Sequence, residues 1–347
     1  MSEGPALAVL GSGSWGTTLA VILARAGRRV TLWGRDAAHV AELTARRENA
    51  RYLPGVRIPD TVRITQSLEE AAAAERIIVA IPSDGVRALS LLLAPLVGDR
   101  HAIASATKGI EAETGSRMSE ILRAAMPRVP LAVLSGPNIA REIASGLPAP
   151  TVVAADDPAV AREFQSLVGT GTFRVYTNDD VIGVELAGAL KNVVALGAGA
   201  CDGMHLGDNA KAGFITRGLA EIARLGVAAG ANPLTFAGLA GFGDLVATAF
   251  SRHSRNRTAG ELLAQGRSLE EVRTALGGQV TEGVGTTAAA CRLAERFGVD
   301  MPIARATYAV LFEGRGLKEA LVELMAREQT DEVSGPLAEI ARLFTER

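Results

Sequence analysis

From Ala6 to Ala155 the chain alternates short apolar, largely β-branched runs with longer amphipathic or alanine-rich stretches. ALAVL (6–10), RRVTLW (28–33), RIIVAIP (76–82), HAIASA (101–106), LAVLS (131–135) and TVVAA (151–155) each predict a strand. Residues 15–26, 67–75, 83–97 and 115–126 between them predict helices. Such alternation builds a parallel, doubly wound sheet. After about Asp180 the pattern changes. Helical stretches follow one another at 181–200, 209–229, 256–265, 268–276, 284–297, 302–312, 316–326 and 335–346, broken by glycine-rich loops. The expected architecture is an α/β domain over residues 1–180 followed by an all-helical domain over 181–347.

Composition narrows the function classes. The 347 residues are 48% hydrophobic and 21% charged, an ordinary globular mixture. A net charge of −2 lacks the basic excess of a general nucleic-acid binder. The uncharged apolar run Ala88 to Gly98 is too short to cross a bilayer, and no membrane insertion is expected. The first strand begins near Ala6, leaving no room for a signal peptide, and a cytoplasmic protein is expected. Cys201 and Cys291 offer no disulfide framework. His39, His101, His205 and His253 have no metal-ligand spacing. Lysine occurs only at 108, 191, 211 and 318, so arginine supplies almost all the positive charge. A retained lysine then reads either as chance or as a place where an ammonium able to give up a proton is wanted.

GSGSWG (11–16) stands between the first strand and the first helix, the setting of a dinucleotide-binding G-x-G-x-x-G. Gly11 permits the tight turn, Gly13 lets backbone amides approach a pyrophosphate, and Gly16 allows close helix packing. The positive end of the helix then faces the anion. The second strand ends in TLWGRD (31–36), where an NAD-selective domain would carry a carboxylate for the ribose. Arg35 instead suits a 2′-phosphate or an adenine face, and Asp36 is placed to cap the next helix. NADP is therefore expected, with dual NAD and NADP use left open.

Several glycine-rich segments carry polar residues. SATKGIE (105–111) delivers Lys108 to a strand end, as a solvated turn lysine or as a ligand group. LSGPNIARE (134–142) puts Gly136 and Asn138 at a strand-to-helix junction. GLAGFGDL (238–245) surrounds Asp244 with small residues, either as a helix N-cap or as a carboxylate for a hydroxyl. In SRHSRNR (251–257), Ser254, Arg255 and Asn256 at a helix start make either a phosphate cradle or a solvated basic loop. Together with a nicotinamide these edges favour a small phosphorylated substrate. GALKNVVALGAG (188–199) sets Lys191 inside an otherwise apolar helix. An unpaired buried charge costs several kcal/mol. Lys191 therefore reads as a general acid or base for a carbonyl oxygen, or as a structural lysine paired with Glu185 or Glu221.

GSGSWGTTLA, LWGR, YLPG, SATKGIE, LSGPNIAREI, GALKN, NAKAGFITRGLAE, GLAGFGDL, SRHSRNR and TEGVGT occur in the order and spacing of NAD(P)-dependent sn-glycerol-3-phosphate dehydrogenases. The resemblance runs from about Ala6 to Pro302. It implies a Rossmann-like domain followed by an all-α domain of the 6-phosphogluconate-dehydrogenase-like kind. It further implies interconversion of dihydroxyacetone phosphate and sn-glycerol 3-phosphate for phospholipid synthesis, commonly by a homodimer. By the same resemblance Lys191 is the proton donor and acceptor, and Lys108 touches substrate and cofactor. Gly136, Asn138 and Asp244 fall on the substrate side, and Ser254, Arg255 and Asn256 on its phosphate. Ser14, Trp15, Arg35, Ala140, Arg255, Val280 and Glu282 fall on the cofactor. Lys211 stands where relatives also carry arginine, and no role is expected of it.

Three other readings compete. The β-hydroxyacid and 6-phosphogluconate dehydrogenases also use a helix lysine, but lack the GFGDL and SRHSRNR pairing. UDP-sugar dehydrogenases need a cysteine nucleophile, and neither Cys201 nor Cys291 sits in a suitable loop. A binding protein that had lost turnover would be expected to lose Lys191 or Asp244, and both are present.

Overall fold

The computed structural model describes residues 6–278, 281–329 and 331–332; Val280 and the expected helix at 335–346 lie outside them. The chain separates into two units, Met1–Lys108 with Arg117–Val181, and Gly109–Ser116 with Ile182–Arg347. The excursion 109–116 belongs to the helical unit, which the strand–helix pattern does not signal. Ile110 is buried in that unit's core.

The first unit runs β1 (Ala6–Leu10), α1 (Ser14–Arg25), β2 (Arg29–Trp33), α2 (Ala37–Arg46), a short hairpin of β3 (Glu48–Asn49) and β4 (Leu53–Arg57), then β5 (Arg63–Thr65), α3 (Leu68–Ala72) and β6 (Arg76–Val79). It continues through α4 (Val86–Leu93), β7 (Ala102–Ser105), α5 (Met118–Ala125), β8 (Leu131–Ser135), α6 (Ala140–Ala144), β9 (Ala149–Ala154), α7 (Pro158–Val168) and β10 (Phe173–Asn178). Eight strands form one sheet in the order β10-β9-β8-β7-β6-β1-β2-β5. Leu7 and Val9 face one core with the buried residues of α1 and α7, while Ala8 and Leu10 face another with α4 and α5. Burial on both faces is why these strands read as unbroken apolar runs.

The sheet departs from the expected parallel order at one pair: β8 and β9 are antiparallel. The connection between them, residues 136–148, holds only the five-residue α6, too short a helix to carry the chain back along the sheet for a parallel return.

The second unit contains α8 (Val181–Gly203), α9 (Gly207–Ala228), α10 (Pro233–Ala237), α11 (Asp244–Phe250), α12 (Arg255–Ala264), α13 (Leu269–Ala275), α14 (Glu282–Phe297), α15 (Pro302–Phe312) and α16 (Leu317–Met325). By length and composition α8 could span a membrane, but 89% of its apolar window is buried inside the protein. It is the core helix of this unit. Its small residues let α12 cross it nearly backbone to backbone. A Cβ added at Gly199 would lie 1.9 Å from the Arg257 carbonyl oxygen, and one at Gly260 1.8 Å from that of Leu196. This crossing fixes the start of α12 beside the segment that carries Lys191.

Glu221 does not pair with Lys191. It lies buried on α9 and accepts the Ile303 and Ala304 amides at 2.8 and 3.3 Å, capping α15. Burial pushes its carboxyl up to about 7 despite those two amides, which act the other way. The native state therefore binds more protons than the unfolded chain between the ordinary value of 4.5 and about 7. Its contribution is complete below that window and is lost as pH rises through it. The stability of the unsubstituted protein relative to Glu221→Gln should fall by up to about 3 kcal/mol from pH 4.5 to 7. Paired urea melts across that range check this; a constant difference would rule it out.

Candidate active site

In the first unit the candidate residues follow the carboxyl ends of neighbouring strands, where open α/β sheets hold ligands. Gly11 follows β1 with φ of +129°, and an added Cβ there would lie 2.2 Å from the Ala80 carbonyl oxygen. At Gly16 it would lie 1.8 Å from the Gly11 carbonyl oxygen. Beside Gly13, in contrast, it would meet nothing within 4 Å. Two glycines thus close the turn and one leaves open space along it. No acidic residue occupies the first turn of α1, so its positive end is not neutralised from within. These residues fit a dinucleotide pyrophosphate.

Arg35 is exposed just past β2, and its carbonyl accepts the Gln66 side-chain amide at 3.3 Å. Asp36 caps α2 through the Ala38 and His39 amides, as its position predicts. Ser14 opens α1, and its carbonyl accepts the Thr18 hydroxyl at 2.8 Å. Trp15 is half-buried and meets Phe173 edge-on, with ring centroids 6.2 Å apart. Lys108 Nζ donates to the Gly136 carbonyl at 2.8 Å, tying the loops after β7 and β8 together. Asn138 Oδ1 accepts the Thr151 hydroxyl at 3.1 Å. Ala140 starts α6, and its carbonyl faces the Thr18 hydroxyl on α1 at 3.1 Å.

In the helical unit Lys191 is 6% exposed and Asp244 1%. Lys191 Nζ donates to Asp244 Oδ1 at 2.6 Å and to Thr248 Oγ1 at 2.5 Å. The buried ammonium therefore has Asp244 as a counter-charge, while Glu221 is engaged by the Ile303 and Ala304 amides. Asp244 is the first residue of α11, whose N-cap position is held by Gly243. Residues 239–243, read from their glycines as loop, form a π-helical turn running into α11. Thr248 is a site residue that the motifs alone do not reveal. Its one signal is the spacing in GDLVAT, which puts it one turn after Asp244 on the same face.

The SRNR segment differs in detail from a simple phosphate cradle. Ser254 is the N-cap of α12, its hydroxyl accepting the Arg257 amide at 3.2 Å. Asn256 is buried, donating to Asn192 Oδ1 at 2.9 Å and accepting the Gly283 amide at 2.9 Å. Arg255 pairs with Glu282 at 2.9 Å. The adjacent residues 255 and 256 thus grip 282 and 283, and Asn192, the residue beside Lys191, fastens that grip to α8. GALKN places Asn192 beside Lys191, but the sequence alone points to no role for it. Lys211, expected to be incidental, is buried and pairs with Asp202 at 2.8 Å. Arg257 reaches the same carboxylate at 2.7 Å. Burial pushes the Cys201 thiol up, with Asp202 adding to the effect, and burial does the same to Cys291. Neither suits a thiolate nucleophile.

This geometry agrees with comparisons to known proteins. Residues 6–161 match the model for the NAD-dependent glycerol-3-phosphate dehydrogenase N-terminus, and 180–322 that for its C-terminus. The chain is 49% identical over 333 residues to glycerol-3-phosphate dehydrogenase [NAD(P)+] of Chlorobium limicola, covering 94% of this chain and 99% of that one. It is 49% identical over 329 residues to the Moorella thermoacetica protein of the same name, covering 94% and 97%. The crystal structure of glycerol-3-phosphate dehydrogenase from Coxiella burnetii superposes with a TM-score of 0.90 at 37% identity, covering 93% of this chain and 99% of that one. With its phosphate-turn glycines, its buried lysine–aspartate pair and matches across both units, the chain belongs to the NAD-dependent glycerol-3-phosphate dehydrogenase family.

Proposed function

We propose that this chain interconverts dihydroxyacetone phosphate and sn-glycerol 3-phosphate, with Lys191 as the general acid and base. The observation that carries the reading is the buried Lys191 ammonium held between Asp244 and Thr248. A reduced nicotinamide, when bound, supplies a hydride to the substrate's C2. Lys191 Nζ then delivers a proton to the C2 oxygen, so that ketone becomes alcohol; in the reverse direction the amine takes that proton back. Asp244 and Thr248 hold Nζ in one place, so a transferred proton travels a fixed path. Arg255 and the start of α12 supply charge and amides for the substrate phosphate, and Lys108, Gly136 and Asn138 complete the ligand contacts. Ser14, Trp15, Arg35, Ala140 and Glu282 belong to the cofactor in this reading. The product is the backbone for glycerophospholipid synthesis, made by a cytoplasmic homodimer.

The test is loss of nicotinamide absorbance on mixing the purified protein with dihydroxyacetone phosphate, with NADPH and NADH in parallel. No oxidation of either, by folded protein that binds cofactor, would overturn the substrate assignment. The same assay examines cofactor choice. Arg35 stands exposed where the ribose carboxylate of an NAD-selective domain is expected. Arg35→Ala should lower the NADPH/NADH ratio of kcat/KM by about tenfold or more, the loss of one charge-assisted contact. An unchanged ratio would remove Arg35 as the determinant.

A further inference from the structure

The fingerprint accounts for the glycines of the phosphate turn but not for what holds that turn in place. Asn49, at the end of β3 in the small hairpin outside the main sheet, is 0% exposed. Its Nδ2 donates to the Ser12 carbonyl at 2.9 Å and to the Thr17 hydroxyl at 2.8 Å. Its Oδ1 accepts the Tyr52 amide at 3.1 Å. The Ser12 carbonyl also lies 3.3 Å from His39 Nε2 on α2.

We propose that Asn49 is the positioning residue of the pyrophosphate turn: by holding the Ser12 carbonyl and the Thr17 hydroxyl together it aims the turn's amides at the dinucleotide. The inference rests on the cofactor reading of GSGSWG. In a trans peptide the carbonyl and the following N–H point in opposite directions. Drawing the Ser12 carbonyl onto Asn49 and His39 therefore turns the Gly13 N–H away from them, at the one glycine of the turn with open space beside its Cα. Thr17 lies in the first turn of α1, whose amides also face an anion. A single side-chain amide thus locks the turn to the helix start. Rotation of that peptide plane would swing a carbonyl oxygen toward the phosphates and make an attractive dipole repulsive.

The Asn49–Tyr52 bond alone would suffice to shape the hairpin, so the experiment separates the two roles. Binding of NADPH and NADH is followed by quenching of tryptophan fluorescence, with steady-state kinetics in parallel, on the full chain and on Asn49→Ala, Asn49→Asp and Thr17→Val. Binding by the unsubstituted protein is measured first, and its failure would remove the cofactor reading itself rather than the part given to Asn49. In Asn49→Ala the Kd and KM for cofactor should rise about tenfold, the loss of two hydrogen bonds that fix the turn. Asn49→Asp, which sets a carboxylate against the Ser12 carbonyl, should do worse, and Thr17→Val should cost only a few-fold. The kcat at saturating cofactor and the KM for dihydroxyacetone phosphate should stay as they are. A residue that only holds the hairpin would lower melting temperature and active fraction, hence kcat, and leave the cofactor KM alone. An unchanged cofactor Kd in folded Asn49→Ala overturns the proposal. If neither Asn49 variant folds, an unchanged Kd in Thr17→Val does so instead.

Discussion

Lys191→Met should lower kcat for dihydroxyacetone phosphate reduction by about 10²- to 10⁴-fold, the span that a positioned acid–base group contributes. The side chain keeps its length and loses its proton. Lys191→Arg should be nearly as inactive, because a guanidinium does not give up its proton and its planar fork does not fit a pocket shaped to Asp244 Oδ1 at 2.6 Å and Thr248 Oγ1 at 2.5 Å. Cofactor binding should survive in both, since Lys191 belongs to the helical unit and GSGSWG to the other. Stopped-flow turnover and cofactor titration on the same preparations check this. Near-normal turnover in either variant would end the acid–base assignment. The two differ in stability. Methionine leaves Asp244 as a buried carboxylate without its counter-ion, a loss of about 3–5 kcal/mol for breaking a buried pair from one side. Arginine retains the charge and loses mainly packing.

The phosphate turn was legible in the sequence because its requirement is steric and local. Gly11 and Gly16 are needed where any Cβ would collide with backbone, and the strand and helix on either side are long and apolar. Elsewhere a local pattern fitted more than one structure, or the deciding contact lay far along the chain. The glycines of GLAGFGDL suggested a loop, yet they serve close approach inside a helical turn: a Cβ on Gly241 would lie 2.2 Å from the Phe236 carbonyl oxygen. β10 leaves a weak signal because Arg174, Tyr176 and Thr177 are exposed on this edge strand, so FRVYTN has no apolar run. The contacts of Asn256 with Asn192 and Gly283 carry no local signal, because α9, α10 and α11 separate it from the first and α13 from the second. Residue types indicated that a lysine, a carboxylate and a basic helix start belonged to one chemistry. Their pairing became visible only with the fold, because α8 crosses α12 at its small residues and brings Asn192 onto Asn256.

That pairing makes a sharper demand than either residue alone. Asp244→Asn keeps the shape of the side chain and removes the charge, leaving Lys191 buried against one neutral amide and the Thr248 hydroxyl. Turnover should fall by about 10²-fold or more, since small displacements of a catalytic group are costly. Melting should be lower as well, by the same one-sided loss that Lys191→Met suffers. The double variant Lys191→Met with Asp244→Asn removes both charges of the pair, so its stability should recover toward that of the unsubstituted protein. Its turnover should not recover, and should be no worse than that of Lys191→Met, because groups acting as a unit lose their effect once. Melting temperatures and kcat for the three variants complete the cycle. Additive losses in turnover would mean that Asp244 acts on the substrate independently of Lys191, as the resemblance alone implied. Recovered stability with non-additive turnover would instead make Asp244 the residue that keeps the buried ammonium in position.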